Sequence, residues 1–170
     1  MVTTVTQDIA LAFEPAERDV MARPPRPPRE PLITRFLLVR VAYVTLLLVA
    51  MTFGVFHFEL ARGMSLEVAR TSAVNVLAVG EMMYLFNCRR FVDPAWLYGG
   101  LATNRIALAV SGVLIVLQLA ITYAPPMQVL FGTAALDGLS WLVIAAVSLL
   151  KFGVVELEKT LLRAWGIRQL

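Results

Sequence analysis

The chain is 170 residues long, 59% hydrophobic and only 16% charged, whereas a soluble domain is nearer half apolar and a quarter charged. A soluble core of this size cannot hide so much apolar surface, so the excess is expected to face lipid in one all-helical membrane unit. The net charge of +3 comes from basic side chains scattered at segment ends, thirteen of the fifteen being arginine, which excludes nucleic acid as a partner. One cysteine, Cys88, and one histidine, His57, exclude an internal disulfide and the usual Cys/His metal sites; no cofactor is expected.

Residues 1–13 are short and moderately apolar, carry Gln7 and Asp8, and lack the basic leader and small-residue cleavage site of a secretory signal. Residues 14–34 form a polar connection. Its prolines, Pro15, Pro24, Pro25, Pro27, Pro28 and Pro31, remove backbone donors and bias their predecessors away from helix.

Four membrane spans are expected between residues 35 and 155. The first covers residues 36–58, of which 41–58 carry no formal charge; this is the roughly 20 residues that a bilayer core requires. Arg40 lies one turn inside its cytosolic end, where a long side chain can snorkel to water. The second span, residues 69–88, is weakened by Asn75 and Glu81, and the third, residues 106–124, is stopped by Pro125 and Pro126. The fourth starts near Ala134 or Asp137 and passes Trp141, Ile144 and Leu150 to about Val155. Residues 156–170 alternate charge with apolar bulk, as in an interfacial cytosolic tail.

Basic residues cluster before the first span (Arg18, Arg23, Arg26, Arg29, Arg35), between the second and third (Arg89, Arg90, Arg105) and after the fourth (Lys159, Arg163, Arg168). The other side carries only Arg62 and Arg70. The positive-inside rule then places both termini in the cytosol.

Glu81 is the residue with the strongest claim to chemistry. A carboxylate within a span costs a few kcal/mol and marks an ion or proton site unless it is a neutral or paired group gluing helices together. Asn75 lies six residues earlier, about 120° around the helix, so the two cannot address one centre without distortion. Asn75 and Gln118 read as interhelical hydrogen bonding. Asp137 complements a helix N-terminus, and His57 with Phe56 and Phe58 forms an interfacial anchor.

The stretch D-V-M-A-R-P-P-R-P-P-R-E-P-L at residues 19–32 has the pattern D-x-M-x-R-P-P-R. It resembles the connection after the sixth membrane helix of type II P-type cation-transporting ATPases. The preceding A-L-A-F-E-P, residues 10–15, is similar to the exit of that helix, and Asn87-Cys88-Arg89-Arg90 to the end of the eighth. The resemblance covers nearly the whole chain. It implies that the four spans are counterparts of helices seven to ten of such a pump, in a four-helix bundle preceded by a remnant of the sixth.

The resemblance further implies that Glu81 matches a carboxylate that the eighth helix supplies to the cation site. The sixth helix of the family carries a Thr-Asp pair, and the matching residues here are Thr3 and Thr4, so the aspartate is replaced by Thr4. That departure weighs against calcium-type coordination, since hard divalent ions favour several charged oxygens, and leaves a monovalent or altered site. The D-K-T-G-T phosphorylation segment and the nucleotide-binding and actuator domains are absent from the sequence, so the chain is not expected to be an enzyme alone.

Met1 falls inside the counterpart of the sixth helix, which suggests a truncated gene or a split pump whose N-terminal portion is the partner, truncation being favoured. The other expected partners are the lipid bilayer and the transported cation, held weakly or not at all by this chain alone. Two further readings compete. A small proton-coupled transporter also has four helices and one membrane Glu, but carries it in its first helix. A structural or regulatory protein bound to an intact pump would retain only the packing surfaces. A multi-pass location in a bacterial inner membrane follows from family habit.

Overall fold

A computed structural model describes residues 2–13, 35–88 and 104–164, apart from the side chains of residues 2–4 and 163. Among the described residues every regular element is a helix: α1 (Val2–Ala12), α2 (Arg35–Ala61), α3 (Leu66–Cys88), α4 (Arg105–Tyr123), α5 (Pro125–Phe131) and α6 (Gly138–Ala164). The Pro/Arg-rich stretch, Arg89, Arg90 and the end of the expected tail lie outside the described residues.

The turn chemistry explains the boundaries. α2 ends in a left-handed Gly63 (φ 77°), with Met64 N–H reaching Glu59 O at 3.1 Å and Gly63 N–H reaching Leu60 O at 3.0 Å. This is the paired closure that satisfies the last carbonyls of a helix, and it suits glycine because an L side chain is disfavoured there. Four residues later α3 runs back along α2. Pro125 holds Ala124 extended and opens α5, while Gln128 Nε2 and Thr133 Oγ1 donate to the freed α4 carbonyls of Thr122 and Ile121 at 2.7 and 2.6 Å.

Three helices, α2, α4 and the stretch of α6 from Gly138 to Leu162, are long and apolar enough to cross a membrane. α3 is not one of them, although it has 23 residues. Glu67, Arg70, Asn75 and Glu81 lower its hydropathy; Glu67 and Arg70 are exposed near its start, Asn75 is buried and Glu81 half-buried. α3 packs most extensively on α2 and α6, touches α1 and α4, and buries nearly half its residues. Of the four spans expected from the sequence, three are thus long and apolar enough among the described residues.

The distribution of side chains is that of a protein solvated by lipid. Along α2 the buried residues are Arg40, Val44, Val55 and Glu59, while Leu38, Val39, Val41, Leu46, Val49 and Phe53 point outward. Apolar groups gain nothing by leaving hydrocarbon, whereas polar ones must find partners inside the bundle. One core cluster joins Val55, Val68, Val76 and Ile144 of α2, α3 and α6 with Leu136 of the connection before α6. A second joins Ala10, Leu85 and Ala107 across α1, α3 and α4.

α6 continues as one helix past Val155 to Ala164. Leu157 and Leu161 are exposed, whereas Glu156 and Lys159 are buried, so the charged residues of the expected interfacial segment turn toward the bundle. They can do so because they pair one turn apart, Nζ to Oε1 at 2.7 Å. Arg40 also departs from expectation. Instead of snorkelling to water it is buried, with Nη2 3.7 Å from Glu158 Oε2 of α6, and Tyr43 donates its hydroxyl to the same carboxylate.

Candidate functional site

Glu81 sits about two turns inside the C-terminal end of α3 and is half-buried. The second core cluster sets its surroundings. Ala10 and Leu85 lie near the C-terminal ends of their helices and Ala107 near the start of α4, and Asn104, which caps α4 through Ala107 N–H at 2.9 Å, donates Nδ2 to Ala10 O at 3.2 Å. The C-terminal ends of α1 and α3 thus meet the start of α4, and Glu81 lies one turn before Leu85 on α3. Thr3 and Thr4 lie in the first turn of α1, and their side chains are outside the described residues.

The bundle brings a second ionisable group to this region, one that the sequence reading passed over. Lys151 of α6 is only 3% exposed. Its Nζ donates to Gly80 O at 3.1 Å, lies 5.0 Å from the centroid of the Tyr84 ring, and is within electrostatic reach of the Glu81 carboxylate. The missing Cβ at Gly80 makes room for Leu48 of α2, whose Cδ1 it would meet at 2.9 Å, while Lys151 Nζ would stay at an ordinary 3.7 Å. The signal was present in the sequence, since a charge at the centre of an apolar helix is as costly for a lysine as for a glutamate.

Asn75 is fully buried on the face of α3 toward α4, where Nδ2 donates to Thr71 O at 2.9 Å and to Thr122 Oγ1 at 3.2 Å. It thus acts as an interhelical link and stands apart from Glu81. Asn75 Oδ1 and Gln118 Nε2 find no hydrogen-bond partner among the described residues, and neither does Gln7 Nε2 of α1. The structure therefore seats Lys151 on the Gly80 carbonyl and the Tyr84 ring, and places Asn75, Thr122 and Gln118 in a separate polar seam. Among the described residues no group of three or more His, Cys, Asp or Glu side chains is placed to hold a metal ion.

Comparison with known proteins agrees with this architecture. Residues 1–161 match the family described as "Cation transporting ATPase, C-terminus". The chain belongs to this family. It is 44% identical over 148 residues to "Probable cation-transporting ATPase F" of Mycobacterium tuberculosis, a match that covers 87% of this chain and 16% of the relative. It is 32% identical over 149 residues to "Cation-transporting ATPase pma1" of Synechocystis, covering 83% of this chain and 16% of that protein. It is 30% identical over 151 residues to mouse "Calcium-transporting ATPase type 2C member 2", covering 88% and 16%. This chain spans about a sixth of the length of these relatives, the part that forms the C-terminal membrane domain.

At the other end of this ATPase domain, a polar clamp ties α2, α3 and α6 together. Arg62 donates Nη1 to the fully buried Glu59 at 2.7 Å and to Ser140 Oγ at 3.2 Å, and Nη2 to Asp137 at 2.6 Å. Ser72 Oγ donates to the remaining Glu59 oxygen at 3.4 Å. Asp137 also caps α6, its Oδ1 accepting Ser140 N–H at 2.8 Å. The Arg62 guanidinium, with the Ser140 hydroxyl and backbone N–H, holds the Asp137 carboxyl well below the usual carboxylate range, and Asp137 in turn raises Arg62. Asp137 is thus a helix cap and clamp partner. His57 is exposed and meets Phe56 edge to face at 5.6 Å between ring centroids.

Proposed function

We propose that this chain is the closing membrane segment of a cation pump, in which α3 is a fourth span and presents Glu81 to the cation path, while α2, α4 and α6 hold it in place. The observation that carries the reading is a carboxylate on the most enclosed helix, in a chain that belongs to a cation-transport family. Thr3 and Thr4 of α1 are the further candidate ligands. The arginine asymmetry supports both ends lying in the cytosol, and the bacterial relatives support a bacterial inner membrane. ATP hydrolysis in this reading belongs to parts of a pump beyond this segment, and the chain performs no catalytic step of its own.

The test is co-expression of this chain with the portion of the mycobacterial relative that precedes the matched region. ATP-dependent cation uptake into vesicles is expected from the pair, falling at least about tenfold with Glu81→Gln. Absence of uptake when both parts are inserted in the membrane and co-purify would refute the reading, and uptake indifferent to Glu81→Gln would remove Glu81 from it.

A further inference from the structure

Two arginines lie at the α2–α3 end of the bundle, and they are used differently. Arg62 is closed on Glu59 and Asp137, whereas Arg70 is exposed and makes no ion pair among the described residues, Glu67 one turn earlier included. Arg70 lines a cleft of about 390 Å³ with Phe56, Thr71, Val74, Phe131 and Thr133, a volume within the roughly 300–1,000 Å³ of small-molecule sites. One wall comes from the end of α5. Residues 106–136 carry no formal charge, α5 within them buries none of its residues, and Val129, Leu130 and Phe131 are exposed. An apolar surface of that kind, joined at both ends to spanning helices, is a membrane-facing one. The left-handed Gly132 (φ 63°) then turns the chain back onto α3, where Ala134 N–H donates to Thr71 Oγ1 at 3.0 Å. The two hydroxyls of the cleft are already engaged, Thr71 donating to Glu67 O at 2.7 Å and Thr133 to Ile121 O at 2.6 Å. Arg70 is thus the charged group that this apolar cleft offers to a ligand.

From this juxtaposition we infer that the cleft is a site for an anionic phospholipid, with Arg70 on the phosphate and an acyl chain along Phe56, Val74 and Phe131. The inference goes beyond the cation path and needs only that the bundle stands in a bilayer. A guanidinium presents a planar fork of donors that matches a phosphate, and without a carboxylate partner its charge is open to one. The depth is suitable. Arg70 lies four residues beyond Leu66, about 6 Å along the α3 axis, and the headgroup layer is roughly 5–8 Å thick on each side of the hydrocarbon. The aromatic and branched side chains that share the cleft supply the apolar contact a free phosphate could not use. A net-negative lipid is selected over a zwitterionic one because the ammonium of the latter already compensates its phosphate and is repelled by Arg70.

The test is native mass spectrometry of the full chain released from detergent micelles, titrated with dioleoylphosphatidylglycerol or with dioleoylphosphatidylcholine. The wild type is expected to retain one phosphatidylglycerol about tenfold more tightly than phosphatidylcholine, and Arg70→Gln is expected to abolish that preference, the loss of a charge-assisted contact. Arg105→Gln, which removes an exposed arginine at the other end of the bundle, is expected to leave it in place. Equal retention of the two lipids by the wild type, or an undiminished preference in Arg70→Gln, would overturn the inference. So would an equal loss in Arg105→Gln, which would reduce the effect to overall charge. Soluble glycerol 1-phosphate that displaces the lipid at matched concentration would make this a plain phosphate site, and a dimer that retains no lipid would give the cleft to a second copy of the chain; either result overturns the lipid assignment. Should Arg70→Gln lose its helical circular dichroism, Arg70→Met takes its place under the same criteria.

Discussion

Replacing Lys159 by methionine asks whether the last turns of α6 are packed into the bundle or lie at the membrane surface. The two cases differ in magnitude. An exposed ion pair one helical turn apart contributes about 0.3–0.5 kcal/mol, whereas breaking a buried pair by removing one partner costs about 3–5 kcal/mol. Here Nζ and Oε1 are 2.7 Å apart with side chains 0% and 5% exposed, which selects the buried case. Glu156 has a further interaction, so the lower end applies: about 3 kcal/mol, or roughly a hundredfold in the unfolding constant. Removing both charges in Lys159→Met/Glu156→Leu should recover part of that loss, because the buried carboxylate no longer stands without its ammonium. Reversible unfolding in mixed micelles containing SDS, followed by far-ultraviolet circular dichroism, measures both variants. A single variant within about 1 kcal/mol of wild type would refute the burial argument and return residues 156–164 to the interface.

The clamp at the opposite end makes a prediction in pH. The Asp137 carboxyl is held below its unfolded value, so its contribution is fully present above the ordinary carboxylate range near pH 4 and is lost as pH falls through the depressed folded value. Thermal midpoints should be flat from pH 8 to about 5 and fall below about 4, and Asp137→Asn, which keeps the α6 cap, should show a shallower acid fall. In the polar seam, a double-mutant cycle between Asn75→Ala and Thr122→Val should give a coupling of about 0.6 kcal/mol, not above about 1.7, as for hydrogen bonds between membrane helices. At the close approach of α2, Gly80→Ala should cost less than about 1 kcal/mol because the Leu48 tip can turn aside, while Gly80→Val should cost about 1–3 kcal/mol. Unfolding in the same micelles checks both substitutions; equal costs for Ala and Val would mean that Gly80 does not set the approach.

Much of the architecture was legible in the order of residues. The charge-free run of residues 41–58 becomes the middle of α2, Pro125 and Pro126 stop α4 within a residue of the expected point, and Asp137 opens α6. These features are local: hydropathy, missing donors and capping oxygens act within a few residues, so the sequence states them directly. The polarity of α3 at Asn75 and Glu81 was also visible, as was their divergence around the helix, and the family resemblance was carried by short motifs that the comparison supports.

What composition could not decide is which charged residues meet. Arg40 and Lys159 looked like side chains bound for water, and Lys151 was hidden in a run of leucines, because a linear reading assigns each charge its cost without its partner. Only the packing of α6 and α2 against α3 shows Arg40 facing Glu158, Lys159 closed on Glu156, and Lys151 on the Gly80 carbonyl beside Glu81. The sequence alone determined where the helices lie and that lipid is their solvent, since burial of apolar length is a one-dimensional property. The tertiary structure alone decided the pairing of buried charges, because inside a bilayer a charge is tolerable only where another helix supplies its counterpart, and that helix is dozens of residues away in the chain.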